Sequence, residues 1–200
     1  MNHLDLSKIV KLDFSENQYN KSVCLKNQIV LHHTASGRGV DGDFRHWLNT
    51  PERVATCVII DYKGIINQLF SSKYWAHHLG IKQAFLKEKG FKDYYSRNIL
   101  LNQQSIAIEI DAWGGLEYRD GKWFAYPNNF TKEVTADRVI EYPNGYRGYF
   151  GFEKYTPEQI ESVRQLLIFW NNSYNIPLDY YDDMWDVSKN ALSGKSGIWI

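Results

Sequence analysis

Three stretches of this chain carry side chains able to do acid–base or metal chemistry. Ile29-Val30-Leu31-His32-His33-Thr34-Ala35 is an apolar run that ends abruptly in two imidazoles before Ser36-Gly37. Imidazole is the commonest metal ligand and titrates close to neutrality, so either ring is a candidate ligand or proton carrier. Lys73-Tyr74-Trp75-Ala76-His77-His78-Leu79-Gly80 concentrates aromatic rings and imidazoles in a stretch that reads as a loop, and loops of that composition wall clefts. Ser105-Ile106-Ala107-Ile108-Glu109-Ile110-Asp111 holds a carboxylate, Glu109, between apolar neighbours, suited to act as a general base or acid.

The elements that must position these groups can be read from the patterning. The first stretch is a short strand, on which successive side chains point to opposite faces, so His32 and His33 cannot converge on one point without a bulge. A pair of ordinary rim histidines remains open at this level. In the third stretch Ile106, Ile108 and Ile110 make one apolar face, and Ser105, Ala107, Glu109 and Asp111 the other. A cavity-lining strand and a strand with a solvated polar face both fit that alternation. Val54 to Asp61 and Ile65 to Phe70 read as a hairpin closed by Asp61-Tyr62-Lys63-Gly64. Asp41-Gly42-Asp43 caps a short helix over residues 44–48 that ends near Pro51, and residues 81–100 carry a short helical pattern broken at Gly90. Residues 112–152 form a Gly-, Tyr- and Trp-rich meander, with a hairpin at Asp120-Gly121 and a turn at Asn128-Asn129. The clearest helix has Thr156 as N-cap, Pro157 at its first position and Gln159 closing a capping box, with Ile160, Val163, Leu166, Leu167, Trp170 and Tyr174 as its apolar stripe. Asn175-Ile176-Pro177 ends it, and Asp182-Asp183 reads as a solvated loop.

Composition bounds the remaining possibilities. With 200 residues and 44% hydrophobic content the chain can bury one sizeable core, and no compositional break divides it. We expect an N-terminal arm over residues 1–26 and one domain over 27–200. Lys plus Arg balance Asp plus Glu at 23 each, so there is no electrostatic footprint for nucleic acid or an anionic membrane. No window approaches a membrane span, and the N-terminus lacks the pattern of a secretory signal. The 7 Trp, 14 Tyr and 10 Phe suit cores and carbohydrate clefts equally. Cys24 and Cys57 have no CxxC spacing and read as free buried thiols, with a single bridge possible in an oxidising compartment. A nucleophilic Cys57 is disfavoured because no His or Asn partner is indicated.

Taken in order, these segments resemble the zinc-dependent N-acetylmuramoyl-L-alanine amidases of the phage-endolysin and peptidoglycan-recognition-protein superfamily. The resemblance runs from about Gln28 to the last residue. It rests on Ile29 to Ala35, Val58-Ile59-Ile60-Asp61 with Gly64 and Gln68, Trp75 to Gly80, Ser105 to Ile110, and the helix from Tyr155-Thr156 to Asn175-Ile176-Pro177. The tail from Asp183-Met184-Trp185-Asp186 to Gly197-Ile198-Trp199 is most similar to the phage-type branch.

The resemblance implies an α+β fold with a central mixed sheet flanked by helices. It implies Zn2+ as cofactor with His32 as a ligand, Glu109 as the catalytic carboxylate, and His78, Trp75 and His77 along the substrate groove. The implied partner is peptidoglycan, cut between N-acetylmuramic acid and L-alanine by a monomer acting at the bacterial wall after cytoplasmic synthesis. A non-catalytic peptidoglycan-binding protein of the same fold is the alternative. In the family the second zinc ligand is a His just beyond a Gly-Ile piece and the third a Cys or Asp several residues later, whereas this sequence ends at Gly197-Ile198-Trp199-Ile200. A fragment or truncated product with little activity of its own is therefore expected.

Overall fold

The computed structural model of the chain describes residues 4–37, 39–125 and 132–200; the Asn128-Asn129 turn lies outside them. Short runs of Val and Ile without charges can bury both faces, and such runs form the middle of the main sheet. This sheet contains β1 (Ile9–Lys11), β2 (Gln28–His33), β3 (Val58–Ile60), β4 (Ile66–Gln68), β5 (Ser105–Ile110) and, after an inserted unit, β11 (Gly197–Trp199). Their spatial order is β1-β4-β3-β5-β2-β11. The β3–β4 hairpin is antiparallel and the other neighbours run parallel, so the sheet is mixed as expected. In β5 both the Ile106, Ile108, Ile110 face and Ser105 and Ala107 are buried; Glu109 alone is only partly so. A central strand packed on both sides has no solvated face, which decides against the strand with a solvated polar face.

The N-terminal segment is more than an arm. β1 pairs with β4 at the sheet edge, and Phe14 and Tyr19 enter the core, with Tyr19 and Phe70 stacked at 4.8 Å.

Among the described residues five α-helices accompany the sheets: α1 (Asp41–Asn49), α2 (Gln83–Glu88), α3 (Arg97–Gln104), α4 (Pro157–Tyr174) and α5 (Lys189–Leu192). α3 was not distinguished from its Tyr-rich surroundings in the sequence. The capping box of α4 is present in both directions, and Asn175 ends the helix in the left-handed conformation. Its buried stripe is rotated from the apolar one, however. Ile160 is 58% exposed, while Gln159 and Ser162 are buried. The reason is hydrogen bonding: Gln159 Nε2 donates to the Asp111 carbonyl at 2.8 Å and Ser162 Oγ to that of Gly64 at 2.6 Å, tying α4 to strand ends. Asp182-Asp183 begins a 3-10 turn, and Asp183 accepts from Ser188 and Asn190, bracing the start of α5.

The meander of residues 112–152 is a second sheet of β6 (Gly115–Arg119), β7 (Lys122–Ala125), β8 (Glu133–Val134), β9 (Val139–Tyr146) and β10 (Tyr149–Glu153), ordered β8-β7-β6-β10-β9 and antiparallel. The Asp120-Gly121 turn has φ of 52° and 80°, the positive pair that a two-residue hairpin of right-handed twist demands. One face buries Leu116, Trp123, Ala125, Val134 and Val139 as a small core of its own.

Candidate active site

His32 and Glu109 are paired in register on β2 and β5, one residue before the ends of these adjacent parallel strands. Parallel neighbours at one level share a face, so the imidazole and the carboxyl stand side by side. His33 pairs with Ile110 and takes the other face. Its ring lies so close over Gly114 that a Cβ there would stand 2.2 Å from Nε2, and Gly114 itself has φ of 72°. The edge strand β11 runs towards the same end of the sheet, with Trp199 beside Val30.

His32 is held from behind. Its Nε2 is 3.0 Å from Nδ1 of His78, whose Nε2 is 2.7 Å from Ser105 Oγ, and that hydroxyl donates to the Leu101 carbonyl at 2.6 Å. These contacts fix the protons by elimination. Ser105 spends its one hydrogen on Leu101, so it accepts from His78 Nε2–H; His78 Nδ1 is then an acceptor and takes the Nε2–H of His32. The Nδ1 of His32 keeps its lone pair. Burial lowers the pKa of both rings, to about 4 for His32 with His33 adding to the effect, and well below the usual value for His78. Both are neutral at pH 7, as the chain of single hydrogen bonds requires. The loop carrying His78 is anchored by buried Asn102, whose Oδ1 accepts from the backbone N–H groups of His78 at 2.7 Å and Leu79 at 3.0 Å.

Glu109 sits in an acid-raising environment. Burial first, and then the carboxylate of Asp43 on α1, push its pKa up to about 8. Asp43 accepts from Ser36 Oγ at 2.9 Å, which places α1 over the strand ends. The Tyr155 phenol, just before α4, interacts with Glu109, and with burial this raises it to about 12. A carboxyl with a pKa near neutrality can hold or release a proton at working pH.

The structure brings together His32, Glu109 and, through His32, His78. With both ring nitrogens engaged, His78 positions its neighbour rather than presenting a free edge to a groove. Trp75 and His77 face each other at 5.4 Å on the opposite side of their segment, with the indole N–H donating to Ser22 Oγ. Cys57 is buried, its thiol donates to the Ala107 carbonyl, and burial pushes it up to about 12, an inert thiol. Cys24 and Cys57 are both free. Sequence reasoning missed Ser105, Asp43 and Tyr155; of these only Ser105 carried a signal, as a polar residue in line with Glu109 on the strand.

A zinc site needs three or four donors around one point. Among the described residues no three His, Cys, Asp or Glu side chains come together in that way. The residues present therefore do not complete such a site, and His32 Nδ1 is the one imidazole nitrogen at this point left with a lone pair.

A mixed sheet with polar residues at the carboxyl ends of central parallel strands defines an α+β scaffold with its candidate site at those strand ends. The sequence profile of the N-acetylmuramoyl-L-alanine amidases matches residues 19–196, and the chain belongs to that family. No curated protein sequence matches it. Among solved structures, it is similar to the N-acetylmuramoyl-L-alanine amidase LysC from Clostridium intestinale URNW, at 15% identity and TM-score 0.41, over 84% of this chain and 76% of that one. PlyL is similar at 14% identity and TM-score 0.46, over 84% and 76%. A selenomethionine derivative of AmpD is similar at 16% identity and TM-score 0.35, over 60% and 70%. No helix among the described residues is long and apolar enough to cross a membrane.

Proposed function

We propose that this protein is a peptidoglycan hydrolase that cuts the amide between N-acetylmuramic acid and the L-alanine of the stem peptide. The observation that carries the reading is the in-register pair of His32 and Glu109 on the central strands of a chain belonging to the amidase family. Glu109 takes a proton from the attacking water and delivers it to the leaving amine, work for which a pKa of about 8 is suited. His32, locked by His78 and Ser105, presents Nδ1 to the same space. Zinc enters the proposal through that nitrogen alone. When bound, such an ion polarises a carbonyl and acidifies water; the described residues supply one of its donors, and no step is derived through it.

Glu109→Gln is expected to lower the release of new alanine amino groups from peptidoglycan by about 100-fold or more, in the range lost with a general acid–base group. Release of reducing sugar ends in place of amino groups refutes the amidase reading. Full amine release after exhaustive chelation refutes zinc dependence.

A further inference from the structure

The second sheet has an outer face for which amide hydrolysis gives no use. Strand alternation and register put Tyr142 of β9 on the same face as Ile140, opposite Phe152 of β10, away from the small core of Leu116 and Val139. Around Phe152 gather three tyrosines: Tyr142 at 5.6 Å, Tyr146 at 5.8 Å and Tyr149 at 5.8 Å between ring centroids. None of the four rings is buried, and Tyr142 is 42% exposed. Apolar rings kept in mutual contact at the surface, with no core beneath their outer side, mark a binding face.

The Tyr149 ring packs on Gly115, next in the chain to the Gly114 under His33, on the sheet face opposite Glu109. The cluster approaches the candidate active site through Tyr155, three residues after Phe152, which lies within electrostatic range of both Glu109 and Tyr142. The substrate's own chemistry uses this continuity. The scissile amide hangs from one sugar of a polymer, so the neighbouring N-acetylhexosamines must cross whatever surface borders Glu109. Tyrosine offers a hexose a flat apolar face and a hydroxyl at its tip. The charges on the same face, Glu117, Arg119, Lys122 and Glu133, are of both signs and set up no field that would select a polyelectrolyte.

We propose that the Tyr142, Tyr146, Tyr149 and Phe152 face of the inserted sheet is a saccharide subsite that stacks the N-acetylhexosamine strand flanking the cleaved muramic acid. The proposal rests on the amidase reading for the identity of the polymer, and its test is independent of catalysis. The probe is the β-1,4-linked tetramer of N-acetylglucosamine, which carries no stem peptide. Binding is measured by calorimetry and by amide chemical shifts, beside hydrolysis of a single-sugar muramyl dipeptide. The tetramer is expected to bind with shifts centred on β9 and β10, Tyr142→Ala to weaken it about fivefold or more, and Tyr142→Phe to preserve it because the ring is what stacks. No binding by the folded protein, shifts elsewhere on the molecule, or an unchanged affinity in Tyr142→Ala overturns the subsite. A change of oligomeric state in Tyr142→Ala with unchanged sugar affinity also overturns it, in favour of a protein interface. Tetramer binding that is lost in Tyr142→Ala supports the subsite whatever the dipeptide result, so the subsite and the amidase reading fail separately.

Discussion

Replacing Glu109 by glutamine removes a proton-binding group from the sheet while keeping its shape. The wild-type carboxyl has an ordinary value of 4.5 and a folded value of about 8, because burial and the Asp43 carboxylate oppose its charge. Between those two values the folded chain holds a proton that the unfolded chain has released. Stability must therefore fall as pH rises through that window. At 1.36 kcal/mol per unit, the loss by pH 7 is about 3 kcal/mol, reaching an upper bound of about 5 kcal/mol above pH 8. Glutamine pays none of this. Urea unfolding of both proteins from pH 4 to pH 9 should give nearly equal stabilities at pH 4 and a lead for Glu109→Gln that widens to about 3 kcal/mol at neutrality. Asp43→Asn, which removes the second cause and leaves the first, should lower the folded pKa of Glu109, so that the loss of stability ends at a lower pH and is smaller in total. A difference between wild type and Glu109→Gln that is constant across the range refutes the raised pKa and, with it, the role of Glu109 as a proton carrier near neutrality.

Further tests address the groups behind the pair. Ser105→Ala deletes the acceptor of His78 Nε2–H, so His32 should lose its single tautomer, seen as averaged ring nitrogen shifts in 15N-histidine spectra; an unchanged Nε2–H signature of His32 contradicts the proton assignment. Buried Lys26 donates to the carbonyls of Gln103 and Ser105 and has its pKa lowered by burial from 10.5 to about 8. The folded chain then binds fewer protons than the unfolded one between those values, so stability should rise by about 3 kcal/mol from pH 8 to 10.5, and Lys26→Met should abolish that slope in urea titrations. With a thiol pKa of about 12, Cys57 has roughly one ionised molecule in 10,000 at pH 8 and is buried, so a disulfide reagent should label Cys24 well before Cys57 in the native protein; equal rates refute the burial argument.

Local patterning made much of the scaffold legible. The capping box of α4, the β3–β4 hairpin and the Asp120-Gly121 turn are decided by a few neighbouring residues, and each stands where the sequence places it. The strand ends bearing His32 and Glu109 were legible for the same reason. Their register was not, because nothing within either strand tells which residue of its partner it will meet; the parallel pairing of His32 with Glu109 is a property of the whole sheet.

The long-range polar contacts explain the remaining departures. Periodicity ranks residues by hydrophobicity, and so it turned α4 towards Ile160, although the interface is set by Gln159 and Ser162 bonding to carbonyls 48 and 98 positions away in the chain. Leaving those carbonyls buried without partners costs about 1–3 kcal/mol each, comparable to what burying Ile160 would gain, and the two bonds together outweigh it. The same logic governs the active-site end. The family resemblance implies a groove role for His78, while Asn102 pins its backbone and Ser105 its ring, and these partners lie 24 and 27 residues further along the chain. Which nitrogen of His32 carries the proton is thus specified by a serine on the neighbouring strand, through a histidine whose two ring nitrogens bond to His32 and Ser105 and not to Glu109.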